Sequence, residues 1–274
     1  MTVTTQHEVA GSTGRTVGSV RASLLVVEGL WMWYRRNWRA TVFSSLVTPV
    51  LFLLSLGLGL GTQIRAGAIP GGSTYIAFLA PALLVSSAVQ NAAMDSTYPI
   101  LSGFKWQKTF WGIVSTPITA GQIVAGRFVW LAARLLFSGV AFMVVAAFFG
   151  GVRGPSVVIS LLVAVLAGLA FAAPIVAFAA TIEKEGQEFN LLFRFVVMPM
   201  TLFAGTFFPV SQLPVFVQPL AWITPLWHGT ELSRGAAFGT LEVLPALGHL
   251  AYLLLWLGVG LALARRSFRA RLMV

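Results

Sequence analysis

The sequence predicts an all-α membrane protein with six transmembrane helices and cytoplasmic termini, and three observations carry that prediction. Of its 274 residues, 57% are hydrophobic and 9% charged, against about a quarter charged in ordinary soluble domains. Six apolar runs reach the ~20 residues needed to cross a hydrocarbon core of ~30 Å. These runs are apolar on odd and even positions alike, which excludes the alternating strands of a membrane barrel.

The runs are Thr41 to Gly61, Thr74 to Met94, Phe128 to Phe149, Ser156 to Ala180, Phe189 to Phe208 and Ala246 to Ala264. The basic residues orient them. With the N-terminus in the cytoplasm, 13 of the 18 Lys and Arg fall on that side, only Arg65, Arg153 and Arg234 fall outside, and Arg134 and Arg194 lie within spans. This asymmetry sets both termini in the cytoplasm. The net charge of +10 is therefore a topology signal, and no nucleic acid is expected as a partner.

Residues 1–20, rich in Thr, Ser and Gly, have no apolar period and are expected to form a mobile tail. In 21–40, Leu24, Leu25, Val27, Leu30, Trp31, Tyr34 and Trp38 recur near helical spacing, opposite Arg21, Glu28, Arg35 and Arg39. That pattern predicts an amphipathic helix lying on the inner leaflet before the membrane domain, 41–264. A snorkelling extension of the first span is the alternative for the same residues. The lead-in WYRRNWRATVF resembles a twin-arginine export signal, but the apolar run is too long and no small-x-small cleavage site follows. The first run is read as a retained span. The absence of cysteine leaves the compartment open.

Between the second and third spans lies the one sizeable cytoplasmic loop, 95–127. Trp106, Phe110 and Ile113 share a helical face, Lys105 and Lys108 sit off it, and Pro117 should stop the helix. Such a helix suits docking of a soluble partner; resting on the headgroups is the alternative. Within the loop, GQIVAGRF has half the pattern of a phosphate loop, but Arg127 stands for the lysine and Phe128 for the Ser or Thr. No nucleotide site, and no enzyme activity, is expected of this chain.

After Phe208 the chain reads PVSQLPVFVQPLAWITPLWHGTELSRGAAFG. Pro209, Pro214, Pro219 and Pro225 forbid one continuous helix, while the aromatic and aliphatic residues among them forbid a solvated loop. A re-entrant or interfacial hairpin over 209–245 is expected at the outer leaflet, bordering the transport pathway. The last span then leads to a basic cytoplasmic tail, 265–274.

Polar residues within the spans are few. Arg134 and Arg194 lie near the cytoplasmic ends, where snorkelling is the simplest account of Arg134. Arg194 keeps company with Gln187, Glu188 and Asn190, which suggests a role at the inner mouth. No Asp or Glu lies deep in a span, which argues against proton or sodium coupling. His228 and Glu231 stand one turn apart, with Arg234 three residues further on, and form a polar knot that orders the hairpin. With His249 and His7 the only other histidines, a metal site is not expected.

Three stretches, FWGIVSTPITAGQIVAGRF, MPMTLFAGTFFPVSQLP and PLWHGTELSRG, occur in an order and spacing that resembles the permease subunits of type-2 ATP-binding-cassette (ABC) exporters, in particular the NodJ/DrrB-like branch. The likeness covers roughly Arg21 to Arg266, although Lys105 to Lys108 stand where many members carry acidic residues or Arg. The resemblance implies a six-span half-transporter in the bacterial plasma membrane, working with two copies of a cytoplasmic ATPase subunit and a second permease chain, taken as an identical copy. ATP and Mg would be used by the partner, with no cofactor on this chain. It also implies that Arg35, Arg39, Lys105, Trp106, Lys108, Phe110 and Pro117 couple to the ATPase. Phe208, Pro209, Pro214, His228, Glu231 and Arg234 would form the outer gate. The apolar spans suit an amphiphilic or hydrophobic cargo, such as a lipid-linked saccharide, glycolipid or drug, in contact with membrane lipid. The residues alone leave open a self-sufficient channel or an energy-independent lipid scramblase.

Overall fold

The computed structural model describes residues 18–60, 74–152, 154 and 156–273. Most of the expected tail, with His7 and Arg15, lies outside the described residues, as do Arg65 and Arg153, which the sequence assigns to outer loops. Among the described residues every regular element is a helix.

The first, α1 (Ser19–Phe52), passes directly into a π-helical stretch, Leu53–Leu60. The sequence reading placed a junction near Ala40, but the helix is uninterrupted there. Its cause is local: from Leu30 to Thr48 the chain holds neither Gly nor Pro, so nothing in the backbone ends the ladder. The buried residues of its first turns are Ala22, Val26 and Tyr34, whereas Leu24, Trp31 and Trp38 of the expected apolar face are 46–52% exposed.

Next, α2 (Tyr75–Ser96) is capped by Thr74, whose side chain accepts from the Ala77 N–H, and α3 (Tyr98–Phe104) continues it after one non-helical residue, Thr97. The helical segment therefore runs well past Met94, where the sequence reading ended the second span. A turn at Lys105–Lys108 leads to α4 (Thr109–Val114), and α5 (Ala120–Phe148) follows. Thr119 and Gln122 close a capping box at the start of α5. This places GQIVAGRF in the first turns of a helix. Its Gly126 serves packing: a Cβ there would lie 2.6 Å from the Ser23 carbonyl oxygen and 2.7 Å from Val26 of α1.

At the centre stands α6 (Val157–Ala179), which packs on α2, α10 and α11. Small residues allow the approach. A Cβ on Gly168 would meet the Ala88 carbonyl at 3.1 Å, one on Gly229 would meet Ala167 at 2.7 Å, and one on Gly260 would meet Ala173 at 2.5 Å. Close backbone contact through Gly and Ala is the usual packing device where lipid supplies no hydrophobic drive between helices.

The fifth apolar run forms α7 (Glu188–Leu192), a π-helical turn Phe193–Val197 and α8 (Met198–Phe203), so its helix stops five residues before Phe208. After a 3-10 turn, Val210–Gln212, come α9 (Gln218–Trp222) and α10 (Pro225–Phe238). Gly239, at φ 66°, ends α10 in the left-handed conformation. The last helix, α11 (Val243–Leu272), starts inside the expected hairpin segment and runs eight residues past Ala264. The expected basic tail is thus largely its final turns.

Four helical segments among the described residues are long and apolar enough to cross a membrane: Tyr75–Phe104, Ala120–Phe148, Val157–Ala179 and Val243–Leu272. They correspond to the second, third, fourth and sixth apolar runs. The first run lies on α1 and its π-helical extension, the fifth on α7 and α8.

Candidate functional site

At one end of the bundle, α3, α4 and the end of α11 meet in an aromatic cluster. The rings of Phe104, Phe110 and Phe268 pack edge to face with centroids 4.8–5.2 Å apart, and all three are buried. The sequence reading grouped Phe110 with Trp106 on an exposed docking face. The structure corrects this: Trp106 lies in the turn before α4, half exposed, while Phe110 points inward, because the helix begins only at Thr109. The surface presented outward is Trp106, Lys108 and Trp111. Pro117 is exposed beyond the end of α4, which stops at Val114.

This loop is braced from outside and below. Lys105 Nζ lies 2.6 Å from Glu185 Oε1 in the α6–α7 connection. The ammonium group holds the Glu185 carboxyl below its ordinary range, with a smaller contribution from the Trp106 indole. Lys108 adopts φ 52°, a left-handed conformation costing a β-carbon residue about 1 kcal/mol. Arg271 lies 4.4 Å over the Phe104 ring and donates to the Ala180 carbonyl at 2.9 Å, satisfying an orphan acceptor at the end of α6. Arg35 and Arg39 are exposed on α1, which packs on α5.

The two arginines expected at the inner mouth behave differently. Arg134 does not stand alone: it donates to Asp95 at 2.6 Å and lies over the Tyr34 ring at 5.6 Å. Both members of the pair are about one-fifth exposed, so a salt bridge between α2 and α5 replaces simple snorkelling. Arg194 and Asn190 are exposed on the outward face of α7 and its π-helical turn, beside Leu191, Phe195 and Met198, which are 59–66% exposed.

At the opposite end, α10 leans into the bundle. Ser160 donates to the Ser233 carbonyl at 2.8 Å, and the Ser233 hydroxyl donates to the Pro81 carbonyl. Arg234, 9% exposed, donates to the carbonyl oxygens of Gly205 and Thr206 and stacks 3.9 Å over Phe78. The expected Glu231–Arg234 pair is present but loose, at 3.8 Å. Arg234 is thus a tie between α10, α2 and the segment after α8. Tyr75 adds a second tie by donating to the Phe207 carbonyl. Phe208 and Pro209 are half-buried, and Pro214 is exposed. The tip is bare: Val215 and Phe216 are 80–81% exposed.

His228 belongs to a cluster that sequence reasoning missed. Its Nδ1 lies 2.7 Å from His249 Nδ1 on α11, and its Nε2 lies 2.9 Å from the Trp222 carbonyl. A carbonyl only accepts, so Nε2 of His228 carries the proton, its Nδ1 accepts, and His249 donates from Nδ1. Tyr252 stacks on His228 at 3.9 Å and donates to the Ile223 carbonyl. His249, Tyr252 and Trp256 fall at i, i+3 and i+7, a spacing that marked one helix face in the sequence. Among the described residues no group of three His, Cys, Asp or Glu could hold a metal ion.

An apolar cavity among α2, α5, α6 and α10, lined by Pro81, Leu84, Phe142 and Phe238, holds about 10 Å³, room for roughly one water molecule. The helical frame, its loop end and its proline-rich end together carry the three stretches on α4–α5, after α8 and on α10. The sequence pattern of the family described as "ABC-2 type transporter" matches residues 23–238. The chain belongs to that family. It is 35% identical over 218 residues to Nodulation protein J of Sinorhizobium fredii (strain NBRC 101917 / NGR234), covering 75% of this chain and 81% of that protein. It is 32% identical over 254 residues to Nodulation protein J of Rhizobium meliloti (strain 1021), covering 89% and 95%. The Inner membrane transport permease YadH of Escherichia coli (strain K12) is 28% identical over 210 residues, 77% of this chain and 79% of that one. In this ABC-2 permease, α11 lies beyond the family match, and the residues it brings to both ends are those that the sequence analysis left unassigned.

Proposed function

We propose that this chain is the permease subunit of an ATP-driven exporter in the bacterial plasma membrane, carrying an amphiphilic or hydrophobic cargo outward. The observation that supports the reading is family membership over most of the chain. The end bearing Trp106, Lys108 and Trp111 is cytoplasmic and receives a separate ATPase, two copies serving a pair of permease chains. ATP and Mg are handled by that partner. The cavity among α2, α5, α6 and α10 is too small for a lipid or drug, and the cargo route is assigned to the boundary with a second, identical chain. A lipid-linked saccharide, a glycolipid or an apolar drug suits the apolar side chains that the helices leave exposed.

Because Phe110 is buried, docking is tested at the exposed residues. Trp106→Asp combined with Lys108→Glu is expected to abolish binding of the ATPase and transport while leaving the chain inserted and thermally stable. Transport unchanged in that variant would favour a self-sufficient channel or an energy-independent scramblase.

A further inference from the structure

We propose that α11 is a rod that carries movement of the α4 loop to the proline-rich end, with Phe268 as its coupling residue at the loop and His249 and Tyr252 as its coupling residues at the far end. The inference rests on the reading that an ATPase bears on the α4 loop. Three features carry it.

First, α4 is set off by irregular backbone on both sides. The turn at 105–108 and the bend at Thr97, at φ −102° and ψ −102°, lie between it and α2, and the non-helical stretch 115–119 lies between it and α5. Force applied to α4 and its flanking turns, one small unit, reaches neither long helix through a continuous backbone ladder. Secondly, the unit is gripped by side chains of α11: Phe268, fully buried, closes the three-ring cluster with Phe104 and Phe110. A Cβ on Gly103 would meet the Phe110 ring at 2.4 Å, so α3 and α4 are held tightly to each other, and the rings of both pack directly on Phe268. Thirdly, α11 is unbroken from Val243 to Leu272, and its other end is joined to α9 and α10 by hydrogen bonds. His249 bonds His228, and Tyr252 bonds the Ile223 carbonyl. From His249 to Phe268 the helix covers about 28 Å at 1.5 Å per residue, close to the ~30 Å of a hydrocarbon core. One element therefore touches both working ends.

The sequence contains no cysteine, so paired labels can be placed without removing any. The test uses the full chain purified with its ATPase in lipid nanodiscs, carrying nitroxides at Phe216→Cys on the exposed tip and Val158→Cys on α6, and reads the distance change on adding ATP and Mg. In Phe268→Leu, which keeps the site apolar but loses the ring contacts, the change is expected to shrink about fivefold or more, while ATP hydrolysis stays within about twofold of the parent. Tyr252→Phe, which removes only the bond to Ile223, is expected to give the same loss. Leu261→Ala, which loosens the middle of α11, is expected to retain the change. An undiminished change in Phe268→Leu and Tyr252→Phe, or an equal loss in Leu261→Ala, overturns the rod while leaving the exporter reading intact. An unsubstituted complex that recruits no ATPase, or shows no response to ATP, overturns both.

Discussion

Asp95 and Arg134 illustrate how a single polar pair is placed in an apolar chain. Each would be costly alone at its depth, and together they bridge α2 and α5 at 2.6 Å. Removing one partner should cost more than removing both. Asp95→Ala is expected to lower stability in detergent by about 3 kcal/mol, and Asp95→Leu with Arg134→Met to recover most of that loss. Thermal unfolding of the two variants checks it; equal losses would mean the pair carries no coupling. Lys105 and Glu185 make a contrasting, exposed pair. Since the folded carboxyl titrates below its ordinary range, the brace is complete above that range and lost as pH falls through the lower folded value. Lys105→Met is therefore expected to remove the acid-side weakening of the loop, read by protease cleavage at 105–117 across pH 3 to 6, a window set by the ordinary carboxylate pKa of ~4.3. A pH dependence unchanged in the variant would contradict the brace.

Among the elements, sequence periodicity located helices well and their boundaries and faces less well. The apolar runs from Thr74, Phe128, Ser156 and Ala246 each correspond to a long helix, because a membrane helix stays apolar on the faces that meet lipid as well as on those that meet protein, which leaves a continuous apolar signal. On α1 the face that meets α5 is built on Val26 and the Ser23 carbonyl against Gly126 and on Tyr34 against Trp130, while Leu24, Leu25 and Trp38 of the expected apolar face stay exposed, as residues that lie on a leaflet do. The loop face was misread for a local reason. Trp106 and Phe110 share helical spacing, but the helix starts between them, at Thr109, and no spacing rule reveals that. Gly126 offers the sharpest test at this scale. Gly126→Val is expected to part α1 from α5 and destabilise the protein by about 1–3 kcal/mol, whereas Gly121→Ala, in open space nearer the start of α5, should be nearly silent in the same thermal measurement. Equal effects would contradict the close approach.

For the whole molecule, the Pro-broken apolar segment after α8 was legible, and Arg234 was singled out with it. Its actual partners, the Gly205 and Thr206 carbonyls and the Phe78 ring, come from parts of the chain far away in sequence. The same holds for the His228–His249 bond and for Phe268: each is a contact between residues whose spacing carries no signal until the helices are packed. What the sequence did show, the order of three stretches, was enough to indicate the family. The central claim, that this permease works as one subunit of an ATP-driven pump, is tested most directly by extracting it from its native membrane in mild detergent and identifying by mass spectrometry what co-purifies, and in what ratio. The account predicts a soluble protein with a phosphate loop, recovered at one copy per permease chain. Recovery of this chain alone, under conditions that keep other membrane complexes whole, would contradict it.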